Sequence, residues 1–248
     1  MTVLVGTSGW HYAHWRGRFY PHGCPSGQWL EWYAARYPTV EINATFYRLT
    51  AEATLRSWRD TVPDGFVFAV KASRYLTHVR RLKDPREPVE LFLERTAALG
   101  DRRGPILLQL PPDLHAEPDR LDETLRCFGP SVRVAVEVRH PTWDRQDVRE
   151  LLSAHGAALC LADRRGHLPP EWRTADWGYV RFHAGRASPW PHYGRQALST
   201  WAGEVARWWP EGDVYAYFNN DQEAVAPGDA RDFARRCRRA GLEVAPVA

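Results

Sequence analysis

The sequence predicts an α/β fold, a single TIM-like (β/α)8 barrel of eight parallel strands. Three observations point there. Eight short apolar runs recur along 248 residues, the usual length of one such barrel. Segments with helical spacing separate the runs, and alternating strand and helix implies βαβ units and a parallel sheet. The runs also end in polar or charged residues that fall on one alternating face. In a strand, residues i and i+2 share a side. Glu41 therefore goes with Asn43, Glu137 with Arg139, Arg181 with His183, and Tyr217 with Asn219. A strand buried on both faces should read as near-continuous Val, Ile and Leu. One polar cavity at the C-terminal ends of the barrel strands accounts for these exceptions together.

Taken in order, the strand-like runs are 2–6, 39–45, 66–72, 105–110, 132–138, 157–162, 179–183 and 213–218. Between them, 28–37 places Trp29, Trp32 and Tyr33 at helical spacing, and 51–59 follows Thr50, a suitable N-cap. Segments 88–99, 119–128, 146–155 and 195–209 are amphipathic, and 228–240 ends at Gly241, suited to the position after a helix. An open doubly wound sheet is the other arrangement, but no G-x-G-x-x-G follows the first strand. The longest irregular stretches, 7–27, 73–87, 164–178 and 184–195, mostly follow strands directly. They belong to the side where barrel sites form. No linker or repeat divides the chain, so one domain over 1–248 is expected.

Hydrophobic residues make up 44% and charged residues 25%, as in an ordinary globular domain. The chain has no apolar stretch of membrane-spanning length. Its start, Met1-Thr2-Val3-Leu4-Val5-Gly6, enters a strand at once without a signal-peptide pattern, which points to the cytoplasm. Cys24, Cys127, Cys160 and Cys237 are far apart, as reduced structural thiols would be. A net charge of +3 carries little weight for a nucleic-acid partner. Of the 33 basic residues, only Lys71 and Lys83 are lysine. Lys83 lies in a charged loop, whereas Lys71 ends a strand on the polar face. An ammonium can lose its proton when desolvated and a guanidinium effectively cannot, so Lys71 is an acid/base candidate.

The motifs also resemble a family. Gly6-Thr7-Ser8-Gly9-Trp10 with Trp15-Arg16-Gly17 and Phe19-Tyr20-Pro21 is similar to the opening of the YecE-like proteins, whose domain has no known function. Glu41-Ile42-Asn43 with Thr45-Phe46-Tyr47-Arg48, then Phe68-Ala69-Val70-Lys71-Ala72 with Thr77-His78, resemble its next signatures. Leu108-Gln109-Leu110-Pro111-Pro112, Ala135-Val136-Glu137-Val138-Arg139-His140 with Trp143, Tyr179-Val180-Arg181-Phe182-His183 and Phe218-Asn219-Asn220-Asp221 match the rest in order. The resemblance covers almost the whole chain and implies a TIM-like barrel without supplying a reaction. One departure is Ala184, which intervenes before Gly185 where the family often has Gly directly after the histidine.

Glu41, Glu137 and Asp163 are carboxylates on strands two, five and six, and Lys71, Arg139 and Arg181 are cations on strands three, five and seven. The functional reading is acid/base chemistry plus an anion clamp; the structural reading is a balanced set of buried ion pairs. Glycoside hydrolysis also uses two carboxylates. Glu41, Glu137, Asp163 and His183 are metal-ligand types, but the neighbouring cations oppose a divalent ion, so no cofactor is expected, a divalent metal being the lesser alternative. Phosphate would suit the last two βα loops, with Arg181, Gly185, Arg186 and Arg195 beside Asn219-Asn220-Asp221 and Asp229.

The expectation is an enzyme acting on a small anionic or polyhydroxylated substrate, such as a phosphorylated sugar or a nucleotide-like molecule. Lys71 and Glu137 would transfer protons, with Glu41 and His183 beside them. Glu41, Asn43 and Asn219 would orient hydroxyls, and Arg139 and Arg181 would hold negative charge. Tyr47, Trp143 and Tyr193 would close over the ligand. Gln109, Asp163 and Tyr217 complete the polar face, and His78 and His140 stand just past their strands as proton shuttles or loop hydrogen-bonders. Two other classes remain: a nucleic-acid-binding or phosphodiester-cleaving protein, which the arginines and loop aromatics permit, and a non-catalytic binder of small ligands. No membrane partner is expected.

Overall fold

The computed structural model describes residues 1–163, 172–183 and 185–247. Among them, nine parallel strands form a nearly closed barrel: β1 (Val3–Ser8), β2 (Thr39–Ile42), β3 (Val67–Lys71), β4 (Arg103–Gln109), β5 (Val134–Glu137), β6 (Ala158–Leu159), β7 (Leu161–Asp163), β8 (Gly178–Phe182) and β9 (Val214–Phe218). The helices are α1 (Trp29–Ala34), α2 (Ala44–Tyr47), α3 (Glu52–Thr61), α4 (Arg86–Thr96), α5 (Pro118–Phe128), α6 (Gln146–Ala154), α7 (Arg195–Trp208) and α8 (Val225–Arg239).

The count of nine corrects the expected eight. The run predicted at 157–162 is two short strands on either side of Cys160. β6 pairs with β5 and β7 pairs with β8. The Cys160 amide still donates to the Val136 carbonyl at 2.9 Å. The chain therefore changes partners at Cys160, and this switch joins the two ends of the sheet.

Three local expectations also change. The predicted strand 39–45 stops at Ile42, and the next residues form the one-turn helix α2. The Thr45 hydroxyl donates to the Lys71 carbonyl at 2.7 Å and so anchors that turn on the end of β3. Thr50 does not cap α3; Ala51 holds the N-cap position, and the Thr50 hydroxyl is buried without a partner among the described residues. The irregular stretch 73–87 contains a π-helical turn, Tyr75–Val79, in which the Arg80 amide donates to the Tyr75 carbonyl at 2.8 Å.

Alternation divides the sheet into two cores. Outward-facing Val40, Ile42, Phe68, Val70, Ile106, Leu108, Val134 and Val136 meet the helices. Burying each such apolar side chain contributes about 1.5–3 kcal/mol. Inward-facing Leu4, Ala69, Leu107, Ala135, Ala158, Cys160, Ala162, Tyr179 and Tyr217 fill the barrel. Small residues on β3, β5, β6 and β7 leave room for large ones on β8 and β9. Gly6 serves a tighter demand: a Cβ there would lie 2.1 Å from the Thr39 carbonyl oxygen. The Tyr33 hydroxyl bridges the same two strands, accepting from Thr7 N at 2.9 Å and donating to Thr39 O at 3.0 Å.

The Trp, Tyr and Phe side chains of the β1–α1 loop pack into the core while most of its other residues are exposed. Trp15 and Tyr20 are buried, and Tyr20 stacks on Trp29 with centroids 4.9 Å apart. No helix among the described residues is long and apolar enough to cross a membrane.

Candidate functional site

The inward alternation continues past the apolar layer and delivers Glu41, Lys71, Gln109, Glu137, Arg139, Arg181, His183 and Asn219 to the C-terminal end of the barrel. Arg181 is at the centre. Its Nη2 donates to Glu41 Oε1 at 2.8 Å and its Nη1 to Glu137 Oε2 at 2.6 Å. Tyr179, two residues earlier on the same face, donates its hydroxyl to Glu41 Oε2 at 2.7 Å. Gln109 Nε2 donates to Glu137 Oε2 and Arg139 Nε to Glu137 Oε1, each at 2.9 Å. All four oxygens of the two buried carboxylates thus have donors.

Burial pushes the Glu41 carboxyl up, but Arg181, Lys71 and the Tyr179 hydroxyl overcome that push and hold it below its ordinary value. Burial likewise opposes the Glu137 charge, and Arg181 and Arg139 outweigh it, leaving its pKa well below the usual range. For Arg181, desolvation is outweighed by Glu41 and Glu137, so the guanidinium stays charged. Burial, then Arg181, lowers the His183 imidazole to about 3. Neutral His183 contacts Arg181 Nη1 at 3.4 Å through Nε2 and the Asn219 amide at 3.1 Å through Nδ1.

Lys71 stands apart from this network. It is buried, yet its ammonium makes no hydrogen bond or ion pair among the described residues. Its Nζ lies 4.1 Å from the centroid of the Phe46 ring, a cation–π contact. Burial, then the charge of Arg181, lowers its pKa from 10.5 to about 8, against the opposing pull of Glu41 and Glu137. His78 packs edge-on against the same Phe46 ring with centroids 5.0 Å apart. Burial and Lys71 lower its imidazole to about 4. The group holds two carboxylates against three cations, an excess of one positive charge.

A profile of the family described as "Protein of unknown function DUF72" matches residues 4–247. The chain belongs to the DUF72 family. The UPF0759 protein YunF of Bacillus subtilis (strain 168) is 24% identical, over 94% of this chain and 93% of its own. A DUF72 family protein of Thermotoga maritima MSB8 has a crystal structure similar to this one, with TM-score 0.82, 28% identity, and 96% of this chain and all of that chain covered. A DUF72 family protein of Enterococcus faecalis V583 gives TM-score 0.81 at 18% identity, over 96% of each chain. SacUVDE shares the fold alone, with TM-score 0.57 and 11% identity over 97% of this chain and 99% of that one.

Several expected site residues of this DUF72 chain lie elsewhere. Asp163 faces outward, because Ala162 takes the inward position on β7; Tyr193 and Trp201 hydrogen-bond to its carboxylate. Tyr193 is buried on the helix side against Phe182 and Phe218. Trp143 is fully buried and donates Nε1 to the Leu114 carbonyl at 2.8 Å. Neither Tyr193 nor Trp143 closes over the mouth. Tyr217 lies deep in the barrel, its hydroxyl 2.7 Å from Thr39 Oγ1. His140 stacks on His115 and bonds Thr142, outside the Arg181 network. Asn43 precedes α2 half-buried, and Tyr47 is exposed.

The phosphate site drawn from the last two loops also changes. The Asp229 carboxylate, in the second turn of α8, accepts from Tyr193 N at 2.9 Å and Asn220 Nδ2 at 2.7 Å. Asp221 accepts from Trp15 Nε1 at 2.6 Å. These carboxylates fill the positions an anion would need. Ala184, the departure from the family pattern, lies outside the described residues, as does 164–171 of the β7–β8 loop. Among the described residues, no three His, Cys, Asp or Glu side chains group as metal ligands.

Sequence reasoning missed Phe46 as the platform under Lys71 and Tyr179 as a partner of Glu41. Tyr179 had a usable signal, since it sits two residues before Arg181. Phe46 was legible as a loop aromatic but not as a partner of Lys71, because the strand was read through Thr45 and the α2 turn that aims the ring at β3 was not foreseen.

Proposed function

We propose that this DUF72 barrel acts on a small anionic substrate at its C-terminal mouth, with Lys71 as the acid/base group. The observation that carries the reading is Lys71, a buried side chain whose ammonium makes no hydrogen bond or ion pair among the described residues. A charge in that condition normally has a counterion. A substrate anion supplies one, and the surplus positive charge draws it in.

The pKa near 8 suits both directions of proton transfer. At pH 7 about a tenth of the molecules carry the free amine, enough for a general base, while the ammonium of the rest can donate. Glu137 and Glu41 take a different part from the one expected of them. With every oxygen engaged and both pKa values depressed, they are poor bases at neutral pH. In this reading they fix Arg181 and set the field at Lys71. Arg139, exposed enough to reach solvent, and Asn219 are the groups placed to bind substrate. The order of the motifs along the chain also supports a YecE-like affiliation within DUF72.

A non-catalytic binder is the second reading. What favours it is the saturation of both buried carboxylates by Arg181, which leaves one titratable group rather than an acid/base pair. The first test is a thermal-shift screen with inorganic phosphate and ribose 5-phosphate as probes. Stabilisation of the wild type that disappears in Lys71→Ala supports the anion site. Equal stabilisation of both proteins removes Lys71 from it. Turnover of a stabilising compound, followed by NMR, separates enzyme from binder.

A further inference from the structure

Beside the mouth lies a cleft of about 410 Å³ between α2, the Tyr75–Val79 turn and α4. That is within the range of small-molecule sites, roughly 300–1,000 Å³. Its lining includes Tyr47, Tyr75, Val79 and Leu91, which are 78%, 52%, 57% and 45% exposed. These are four of the five large hydrophobic side chains left exposed among the described residues. Such concentration in one concavity marks an interaction site.

The same cleft carries two unmatched cations. Arg48 and Arg74 line it, and neither side chain makes an ion pair or hydrogen bond among the described residues. Glu87 is the one lining carboxylate, so positive charge is in excess there too. The buried Phe46 ring stands between the cleft and the mouth. That ring holds Lys71 on one contact, His78 on a second and Tyr47, with centroids 5.1 Å apart, on a third. Apolar and aromatic surface beside arginines, one aromatic ring away from an unpaired lysine, has the chemistry to take a flat ring joined to an anion.

We propose that the cleft is a subsite for the base of a mononucleotide, whose phosphate reaches toward Arg74 and Lys71 and whose base lies against Tyr47 and Tyr75. This rests on the Lys71 reading and narrows it from small anions to nucleotides. Stacking on a tyrosine tolerates any base, because every base has a π-face. Arg48 and Arg74 supply the charge complement and Glu87 an acceptor for amino or hydroxyl groups.

The test is titration of the full-length protein with the four ribonucleoside 5′-monophosphates and with ribose 5-phosphate, at low salt. At least one nucleotide should bind about tenfold more tightly than ribose 5-phosphate, the equivalent of one stacked base. Tyr75→Ala removes an exposed side chain, so the fold should persist, checked by the melting temperature. It should erase that tenfold advantage and leave ribose 5-phosphate binding unchanged, while Lys71→Ala weakens both. Equal binding of nucleotides and ribose 5-phosphate, still dependent on Lys71, would overturn the base subsite and spare the Lys71 reading. Nucleotide binding that needs Tyr75 but survives Lys71→Ala would support the subsite and overturn that reading. Absence of any binding would overturn both. A dimer in sedimentation that Tyr75→Ala dissolves would give the patch to a second copy of the chain and overturn the proposal.

Discussion

Arg181 Nη1 meets Glu137 Oε2 at 2.6 Å inside the barrel, with both side chains enclosed. Glu41 closes the arrangement on the other arm of the guanidinium. This triad fills the barrel centre and explains why charge stands where Val or Leu is usual. A buried pair need not stabilise a fold, yet breaking one leaves an uncompensated charge.

Arg181→Met should therefore destabilise the protein by about 3–5 kcal/mol at pH 7, read by urea unfolding. The sign of its pH dependence is distinctive. In the wild type both carboxyls have depressed native pKa values. Their contribution is complete above the unfolded value near ~4.3 and is lost as pH falls toward the native values. Without Arg181, burial raises both, so the variant should gain stability between about pH 7 and 5. Parallel pH profiles for the two proteins would contradict this.

Lys71 has the opposite linkage. Its native pKa is lowered from 10.5 to about 8, so the unfolded chain binds the extra proton between those values and stability rises with pH across that window. At pH 7 the buried ammonium costs stability. Lys71→Met should raise it by on the order of 1–3 kcal/mol, with the gain fading as the pH rises from about 8 to 10.5 and absent above that. A drop in stability at pH 7 would show that the ammonium has a native partner.

His183 should be neutral throughout the physiological range, given a pKa near 3. Its ring-proton NMR resonance, assigned through His183→Gln, should stay flat from about pH 5 to 9. A midpoint near the ordinary 6.5 would mean that the imidazole is not buried beside Arg181 as described.

Two aromatics expected to share one role should behave differently. Trp143→Ala empties a fully buried site and should cost about 3–5 kcal/mol. Tyr47→Ala alters an exposed side chain; stability should change by no more than about 0.5 kcal/mol, while nucleotide binding weakens. Melting and titration of the two variants side by side decide this.

Strand alternation made the inner face legible wherever a strand was long. Glu137 and Arg139, and Arg181 and His183, were correctly placed together because β5 and β8 keep their period up to the mouth. It failed at β7, where the chain switches partners at Cys160 and the inward position falls to Ala162 instead of Asp163. It failed again after Ile42, where the Thr45 hydroxyl caps β3 and turns the chain into α2. The loop aromatics were legible as residues but not as places. Trp15, Trp143 and Tyr193 have the composition of a binding loop, and only three-dimensional packing shows them buried. Most telling, the sequence could not separate ion-pair network from reactive group, because that depends on which of the cations pair with the carboxylates, here Arg181 and Arg139 and not Lys71.

The most direct measurement uses the fact that the chain has two lysines. Competitive acetylation across pH, with Lys71 and Lys83 resolved by mass spectrometry, gives the pKa of each amine. A Lys71 midpoint near 8 establishes the desolvated, unpaired amine on which the proposed chemistry depends. A Lys71 midpoint near 10.5, with ordinary reactivity, would mean a stably paired ammonium and no acid/base group at this mouth.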